Sequence, residues 1–558
     1  MQTNEAGLTE QAEPEQTKPF GAGIARGAAI IAILTVVSRL MGLVRTLVFA
    51  QKVGADCLGT AYVTANQVPN LIYELVLGGA LTSAMVPVLA RSAERAAVDP
   101  AERAHVSQIT SALLTWSVII LVPLTLAVAA AAGPIASLLN PANANAHCNR
   151  ADMVNATGNM LAVFSPQVVL YGLSVVLFGL LQAYRRFTAP ALAPVISNLV
   201  LIASFLAFGA LDAGLALGRT PLAAEFILSA GTTLGIAALV LVAIPPTWRL
   251  RLKIRPALRL PPGVARRASG LAFVGIVELI AIDVSNVVVI ALANGRGDTG
   301  ALVIFNYAWL VFNAVYAVLV LSIVTSAFPV LSARDGAVFD RTCAGSTRAV
   351  LLMSWLGMAV LAAIAVPAAH VLAKRPDQVP ELIESFALFA PGMAGIAVVA
   401  NLSRVMFALG RLKVAAVALT GSWVLVIAAD LVLAELAPPR LVVAALALGS
   451  TLGQTVMAIP MVIATRGIRG KRALEGLGHA TLAGLAAGAV GAGVGVAISV
   501  AVPMSGKVLD AGVAVVAAAF AVLAFGVVAY LLDRGDLRAL TGRVRLPLWN
   551  RRPNRRAS

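Results

Sequence analysis

From about residue 27 to residue 533 the chain repeats one pattern: a continuous apolar run, then a short connection carrying basic side chains. The runs reach the roughly 18 residues needed to cross a bilayer as a helix. Inside lipid every backbone polar group must be satisfied within the protein, so only helices and closed barrels span. Barrel strands alternate apolar and polar residues over about ten positions. Runs such as Ser111–Ala132, Leu199–Leu211 and Ala511–Leu532 do not alternate. The expected fold is therefore an all-α polytopic membrane protein. Charged residues make up only 12% of the chain, against the roughly 25% of soluble domains, which excludes a string of soluble domains.

Fourteen candidate spans are expected, centred near residues 38, 75, 118, 168, 200, 233, 280, 315, 356, 395, 424, 453, 487 and 520. Basic residues collect on alternate connections: Arg91, Arg95 and Arg103; Arg185 and Arg186; Arg249 to Arg267; Arg334, Arg341 and Arg348; Arg411 and Lys413; Arg466 to Arg472; and Arg534 onward. The intervening connections carry few, among them Lys52, Arg150, Arg296, Lys374 and Lys507. The positive-inside rule then puts both termini in the cytoplasm, and the expected location is the plasma membrane. The net charge of +16 is explained by these clusters, which are not interleaved with aromatics as a nucleic-acid groove requires. The Arg-rich tail at 551–556 suits anionic membrane lipids, and no nucleic-acid partner is expected. Residues 1–25 are polar and acidic, lack the features of a cleavable signal, and read as a disordered cytoplasmic tail.

An internal echo suggests duplication. Leu81-Thr82-Ser83-Ala84-Met85-Val86-Pro87-Val88-Leu89-Ala90-Arg91 resembles Val324-Thr325-Ser326-Ala327-Phe328-Pro329-Val330-Leu331-Ser332-Ala333-Arg334 with a one-residue gap. The copies lie six spans apart and run the same way, as in a parallel repeat about an axis along the membrane normal. The expected organisation is two pseudo-symmetric six-helix lobes plus two C-terminal helices. Its segments are a tail at 1–25, an N-lobe at 26–246, a basic linker at 247–265, a C-lobe at 266–470, two helices at 471–533 and a basic tail at 534–558.

Ionisable groups inside spans cost ~2.5–3.5 kcal/mol or more at a helix centre and need an interior role. The first span holds Arg39 and Arg45, about 120° apart around a helix at ~100° per residue. They can share a wide cavity but not a narrow seam. The second holds Asn66, Asn70 and Glu74 at four-residue spacing, one polar stripe beside Pro69. Glu278 and Asp283 follow in the seventh span. Arginines with asparagines suit a multiply charged anionic headgroup, because guanidinium binds phosphate in a bidentate fork. The competing reading is an Arg–Glu network that locks helices together. Asp283 and Asp430 are candidates for ion coupling. Cys57 and Cys148 fall on the same side; a disulfide and two unpaired small apolar side chains both remain open, the second preferred. The Gly-rich stretch Gly484–Gly495 reads as close helix packing. With no Walker-type loop and no His/Cys ligand spacing, no metal, no cofactor and no enzymatic activity are expected.

Several motifs resemble those of the MurJ/MviN family of the multidrug/oligosaccharidyl-lipid/polysaccharide exporter superfamily. They are Ser38-Arg39-x-x-Gly42-x-x-Arg45, Pro69-Asn70-Leu71, Val86-Pro87-Val88-Leu89, Leu181-Gln182-Ala183-Tyr184-Arg185 and Pro190-Ala191-Leu192-Ala193-Pro194 followed by Asn198. The resemblance is densest over 30–92, and actinobacterial-type members look most similar. It implies a flippase that moves lipid II, an undecaprenyl-pyrophosphate-linked peptidoglycan precursor, to the outer leaflet by alternating access. On this resemblance Arg39 and Arg45 meet the pyrophosphate, the last two helices offer a groove for the polyprenyl tail, and cell-wall synthesis proteins are candidate partners. The chain departs from the family pattern at Thr46, Thr60, Tyr73 and Leu310, where charged residues are usual. The alternatives are a flippase for another polyprenyl-linked glycan, a small-molecule antiporter and a non-transporting cell-wall scaffold.

Overall fold

The computed structural model describes residues 20–77, 95, 99–141, 148–211, 217, 222–258, 264–333 and 335–533. Among the described residues the chain is helical, with no strand. The first half contains α1 (Phe20–Lys52), α2 (Cys57–Leu77), α3 (Pro100–Ala130), α4 (Ala132–Leu139), α5 (Arg150–Phe164), α6 (Gln167–Ala183), α7 (Thr188–Leu211) and α8 (Leu222–Trp248). The second contains α9 (Val264–Arg296), α10 (Ala301–Tyr316), α11 (Ser322–Ala333), α12 (Gly336–Leu372), α13 (Gln378–Phe389), α14 (Gly392–Ala408), α15 (Leu412–Leu436) and α16 (Val442–Arg469). Two helices follow, α17 (Leu477–Ala501) and α18 (Lys507–Leu532).

Twelve described helical segments are long and apolar enough to cross a membrane, thirteen if the bent pair α13–α14 is one span. Each expected span centre lies on a described helix, but α2 over its described residues, Cys57–Leu77, is not among the apolar segments, because its polar stripe lowers hydropathy there; the count of fourteen is not established.

The two halves repeat one packing scheme. In the first, α1 packs on α7, α7 on α8, α6 on α8 and α3 on α6; in the second, α9 packs on α15, α15 on α16, α14 on α16 and α12 on α14. A matching break lies in the fourth span of each half. Phe164-Ser165-Pro166 separates α5 from α6, and Phe389-Ala390-Pro391 separates α13 from α14, where the bend is 40°. A proline lacks the N–H that would continue the hydrogen-bond ladder, so the helix restarts there. The echo first seen in the sequence has its Leu81–Arg91 copy outside the described residues, as is Arg334.

α17 and α18 pack on each other and on α12. The glycine run does what its spacing suggests: Gly484 and Gly488 sit against Trp355, Gly491 against the backbone of Ala521, and Gly495 against Ala363. An added methyl at these positions would meet those atoms, so small residues set the helix separation.

The helix ends define two faces of the bundle. One, the bridge end, carries a Cys57–Cys148 disulfide with Cα atoms 5.8 Å apart. This corrects the preference for unpaired cysteines: α2 and α5 pack side by side, so the first residue of α2 and the segment before α5 meet within bonding range. Cys343 is free and buried. The opposite, basic end carries Arg103, Arg186, Arg251, Lys253, Arg411, Lys413 and Arg466 to Arg472.

Candidate substrate cavity

A cavity of about 550 Å³ opens between the halves. From the first half it takes Arg45 and Thr46 of α1, Asn66, Gln67 and Asn70 of α2, and Tyr171 of α6. From the second half α10 supplies Asn306, Tyr307, Leu310 and Asn313. The four-residue step of Asn66 and Asn70 puts both on the face of α2 that looks inward. Aromatic packing fixes this wall. Tyr62 stacks among Phe49, Phe164 and Phe205, with ring centroids 5.2–6.0 Å away, and its hydroxyl bonds Thr232 at 2.8 Å. Tyr171 donates to Asn70 Oδ1 at 2.9 Å, and its ring lies 4.4 Å from that of Tyr73. Gln67 Nε2 reaches Asn306 Oδ1 across the halves at 3.4 Å.

No carboxylate is among the described lining residues, and Arg45 has no ion pair among the described residues. The cavity therefore offers one guanidinium plus a set of side-chain amides and hydroxyls. That combination binds an anion and, around it, groups rich in amides and hydroxyls.

The structure brings together only part of the expected set. Arg45, Asn66 and Asn70 line the cavity. Arg39 is exposed on another face of α1, as its 120° offset requires. Glu74 is exposed one turn beyond Asn70 and within Coulombic range of Asp283, which is half-buried with one unpartnered carboxylate oxygen. Glu278 lines a second cavity, of about 240 Å³, inside the second half together with Tyr316 and Arg404. There it lies within Coulombic range of Arg404, whose guanidinium sits 5.8 Å from the centre of the Phe328 ring. Asp430 is fully buried with neither carboxylate oxygen hydrogen-bonded, and Gly449 leaves the space it occupies. Of the four departures, Thr46 and Leu310 line the central cavity, Tyr73 packs on Tyr171 and Thr60 is buried.

Sequence reasoning missed the α10 wall. A signal existed: Asn70 and Tyr73 recur as Asn313 and Tyr316 at the same offset as Thr82-Ser83-Ala84 and Thr325-Ser326-Ala327. Extending the echo backwards would have found Asn313.

At the bridge end the halves are sealed. Lys374 Nζ donates to Val53 O at 3.0 Å and lies 3.8 Å from Asp56; Gln378 Nε2 donates to Ala55 O at 2.6 Å, and Gln51 Nε2 to Val371 O at 2.9 Å. Asn294 Nδ2 donates to Thr64 Oγ1 at 2.9 Å and to Leu139 O at 3.0 Å. Gly300, at φ +89°, lets α10 start directly against Ala55, where a Cβ would collide with backbone. Lys507 joins the seal through Gln51 and Ala373 O.

The fold that holds this cavity matches known proteins. A family model described as lipid II flippase MurJ matches residues 49–532. The chain belongs to the MurJ family. A lipid II flippase MurJ from Burkholderia cenocepacia is 30% identical over 32% of this chain and 33% of its own length. A probable lipid II flippase MurJ from Synechocystis is 28% identical over 43% of each chain. The chain thus spans less than half the length of these curated relatives. Among solved structures, a lipid II flippase MurJ in an inward closed conformation superposes with a TM-score of 0.69 at 16% identity, over 91% of this chain and 99% of that one. An inward-facing multidrug resistance transporter of the MATE family gives a TM-score of 0.60 at 14% identity, over 80% of this chain and 98% of that one. The MurJ fold, shared with MATE transporters, is therefore that of this multi-pass membrane chain.

Proposed function

We propose that this MurJ-family chain flips lipid II from the inner to the outer leaflet of the plasma membrane for cell-wall synthesis, by alternating access and without covalent chemistry on its cargo. The carrying observation is the cavity between the halves, which among the described residues has one guanidinium without an ion pair in a wall of amides and no lining carboxylate. Arg45 would meet the pyrophosphate, and the amides of α2 and α10 would meet sugar and peptide groups. We take 26–246 and 266–470 as the lobes that rock, 247–265 as their linker, and 471–533 as the added pair that offers a tail groove. Both termini are cytoplasmic on this reading. The basic end faces the cytoplasm, and the disulfide sits at the opposite, oxidising side. The seal then closes the outer end, leaving the cavity in an inward-facing state. Much of that seal consists of partly exposed polar contacts, each worth ~0.5–1.5 kcal/mol, and less for the Lys374–Asp56 pair. It opens at a cost that differential binding can supply.

Depletion of the protein in its native cell, with lipid II quantified on each leaflet, tests the proposal. Lipid II should accumulate on the inner leaflet, and Arg45→Ala should fail to rescue. Accumulation of another polyprenyl-linked glycan would instead make that glycan the cargo. No change in any lipid-linked intermediate would favour an antiporter or a scaffold that docks cell-wall synthesis proteins. Asp283 and Asp430 are proposed to couple an ion, supported by the unpartnered carboxylate oxygens of both. If Asp283→Asn with Asp430→Asn leaves transport fully dependent on membrane potential, that role is wrong.

A further inference from the structure

The chain after α8 does not leave the bundle. Residues 249–258 run as a strap along α3, held by a ladder on one face of that helix. Ser107 Oγ donates to Lys253 O at 2.5 Å, Arg255 N to Ser111 Oγ at 3.1 Å, and Ala257 N to Thr115 Oγ1 at 3.1 Å. Trp116 Nε1 adds a bond to Leu258 O at 3.1 Å. The strap's side chains divide by polarity. Leu250 and Leu252 pack into an apolar cluster with Val106 and Ile109, while Arg251, Lys253 and Arg255 stay exposed.

Those three cations and Arg103 of α3 line a cavity of about 610 Å³, within the range of small-ligand sites. Among the described lining residues the one carboxylate is Asp99, whose Oδ1 already caps α3 by accepting from Ala101 N at 2.8 Å. No ion pair engages Arg103, Arg251, Lys253 or Arg255 among the described residues. Four like charges held together by a backbone ladder repel unless an anion joins them, and guanidinium groups in this setting select phosphate. The surroundings indicate which phosphate. Trp116, Trp248, Ile254 and Leu258 are all exposed around the site, and Trp248 ends the membrane-spanning helix α8, where tryptophan marks the bilayer interface.

We infer that the groove between α3 and the 249–258 strap binds the phosphodiester headgroup of an anionic phospholipid, with Arg103, Arg251, Lys253 and Arg255 on the phosphate and the exposed apolar rim against the acyl chains. The inference needs only the membrane-spanning fold, so it stands or fails independently of which cargo the central cavity carries.

The test uses the full chain in neutral detergent. Native mass spectrometry reads retention of phosphatidylglycerol, phosphatidylcholine of the same chains, and glycerol phosphate. A triple variant, Arg251→Gln, Lys253→Gln and Arg255→Gln, is compared with a charge-matched control, Arg341→Gln, Lys471→Gln and Arg472→Gln. The wild type and control should prefer phosphatidylglycerol by tenfold or more, and the strap variant should lose about fivefold per charge removed. Equal loss in the control would mean diffuse surface charge and overturn the site. Equal retention of glycerol phosphate would make it a soluble-anion site and overturn the lipid assignment. A lack of preference in the wild type would overturn both. A melting temperature shared by both triple variants separates lost binding from lost fold.

Discussion

Two arginines on one helix show how much depends on a single side chain's direction. Arg45 projects into the central cavity and Arg39 is exposed away from it, though six residues separate them on α1. A charged hydrogen bond to phosphate is worth ~1.5–3 kcal/mol, so Arg45→Ala should slow flipping in reconstituted vesicles by about 10- to 100-fold. Arg45→Lys should recover part of the rate, because it keeps the charge but not the fork. Arg39→Ala should change the rate by less than about threefold, a bound that follows if only lining residues contact the cargo. Equal losses for Arg39→Ala and Arg45→Ala would mean the cargo reaches beyond this cavity. Asn70 lines the cavity and also accepts from Tyr171; Asn70→Leu would leave that hydroxyl unpaired as well as removing an amide from the cavity wall.

The kinked fourth span is the element in which the duplication is most visible. After α6, Tyr184 N bonds Leu180 O and Arg186 N bonds Leu181 O; after α14, Leu409 N bonds Val405 O and Arg411 N bonds Met406 O. The pivot residue has positive φ in both, Arg185 at 57° and Gly410 at 68°. This is the same helix-ending motif twice. A side chain in that conformation costs ~1–2 kcal/mol, and nothing lies within 4 Å of the Cβ that Gly410 would gain. Gly410→Ala should therefore destabilise the fold by about 1 kcal/mol through the backbone alone, read as a lowered melting temperature with flipping rate preserved. A much larger drop would show that the added methyl also disturbs the packing around Gly410.

At the scale of the molecule, the proposed transport requires the halves to part at the bridge end while the rest of each half stays intact. The Cys57–Cys148 bridge lies within the first half and does not oppose this motion. The Asn294–Thr64 contact does, because it joins α9 to α2. Thr64→Cys combined with Asn294→Cys should form an oxidative cross-link that stops flipping, while each single variant stays active. Reductant should restore transport. Undiminished flipping by the cross-linked protein would mean that the seal never opens.

The amino-acid sequence by itself determined the helical membrane fold, the repeated halves, the two-faced charge distribution and the polar stripe of α2. Each depends on composition and periodicity along one segment: apolar length for spans, four-residue spacing for a helix face, charge alternation for the two ends. The family motifs, from Arg39 to Asn198, were likewise readable in order along the chain. Only the tertiary structure decided which polar residues share a space. Asn306 and Asn313 on α10 meet Arg45 and Asn70 across more than 200 residues of chain, whereas Glu278, on the same helix α9 as Asp283, turns toward Arg404 and not toward Glu74. The pairing of Cys57 with Cys148 and the fold-back of 249–258 onto α3 have the same origin. In each case the contact is set by how helices pack around one another, a long-range outcome of burial and shape that no local pattern encodes.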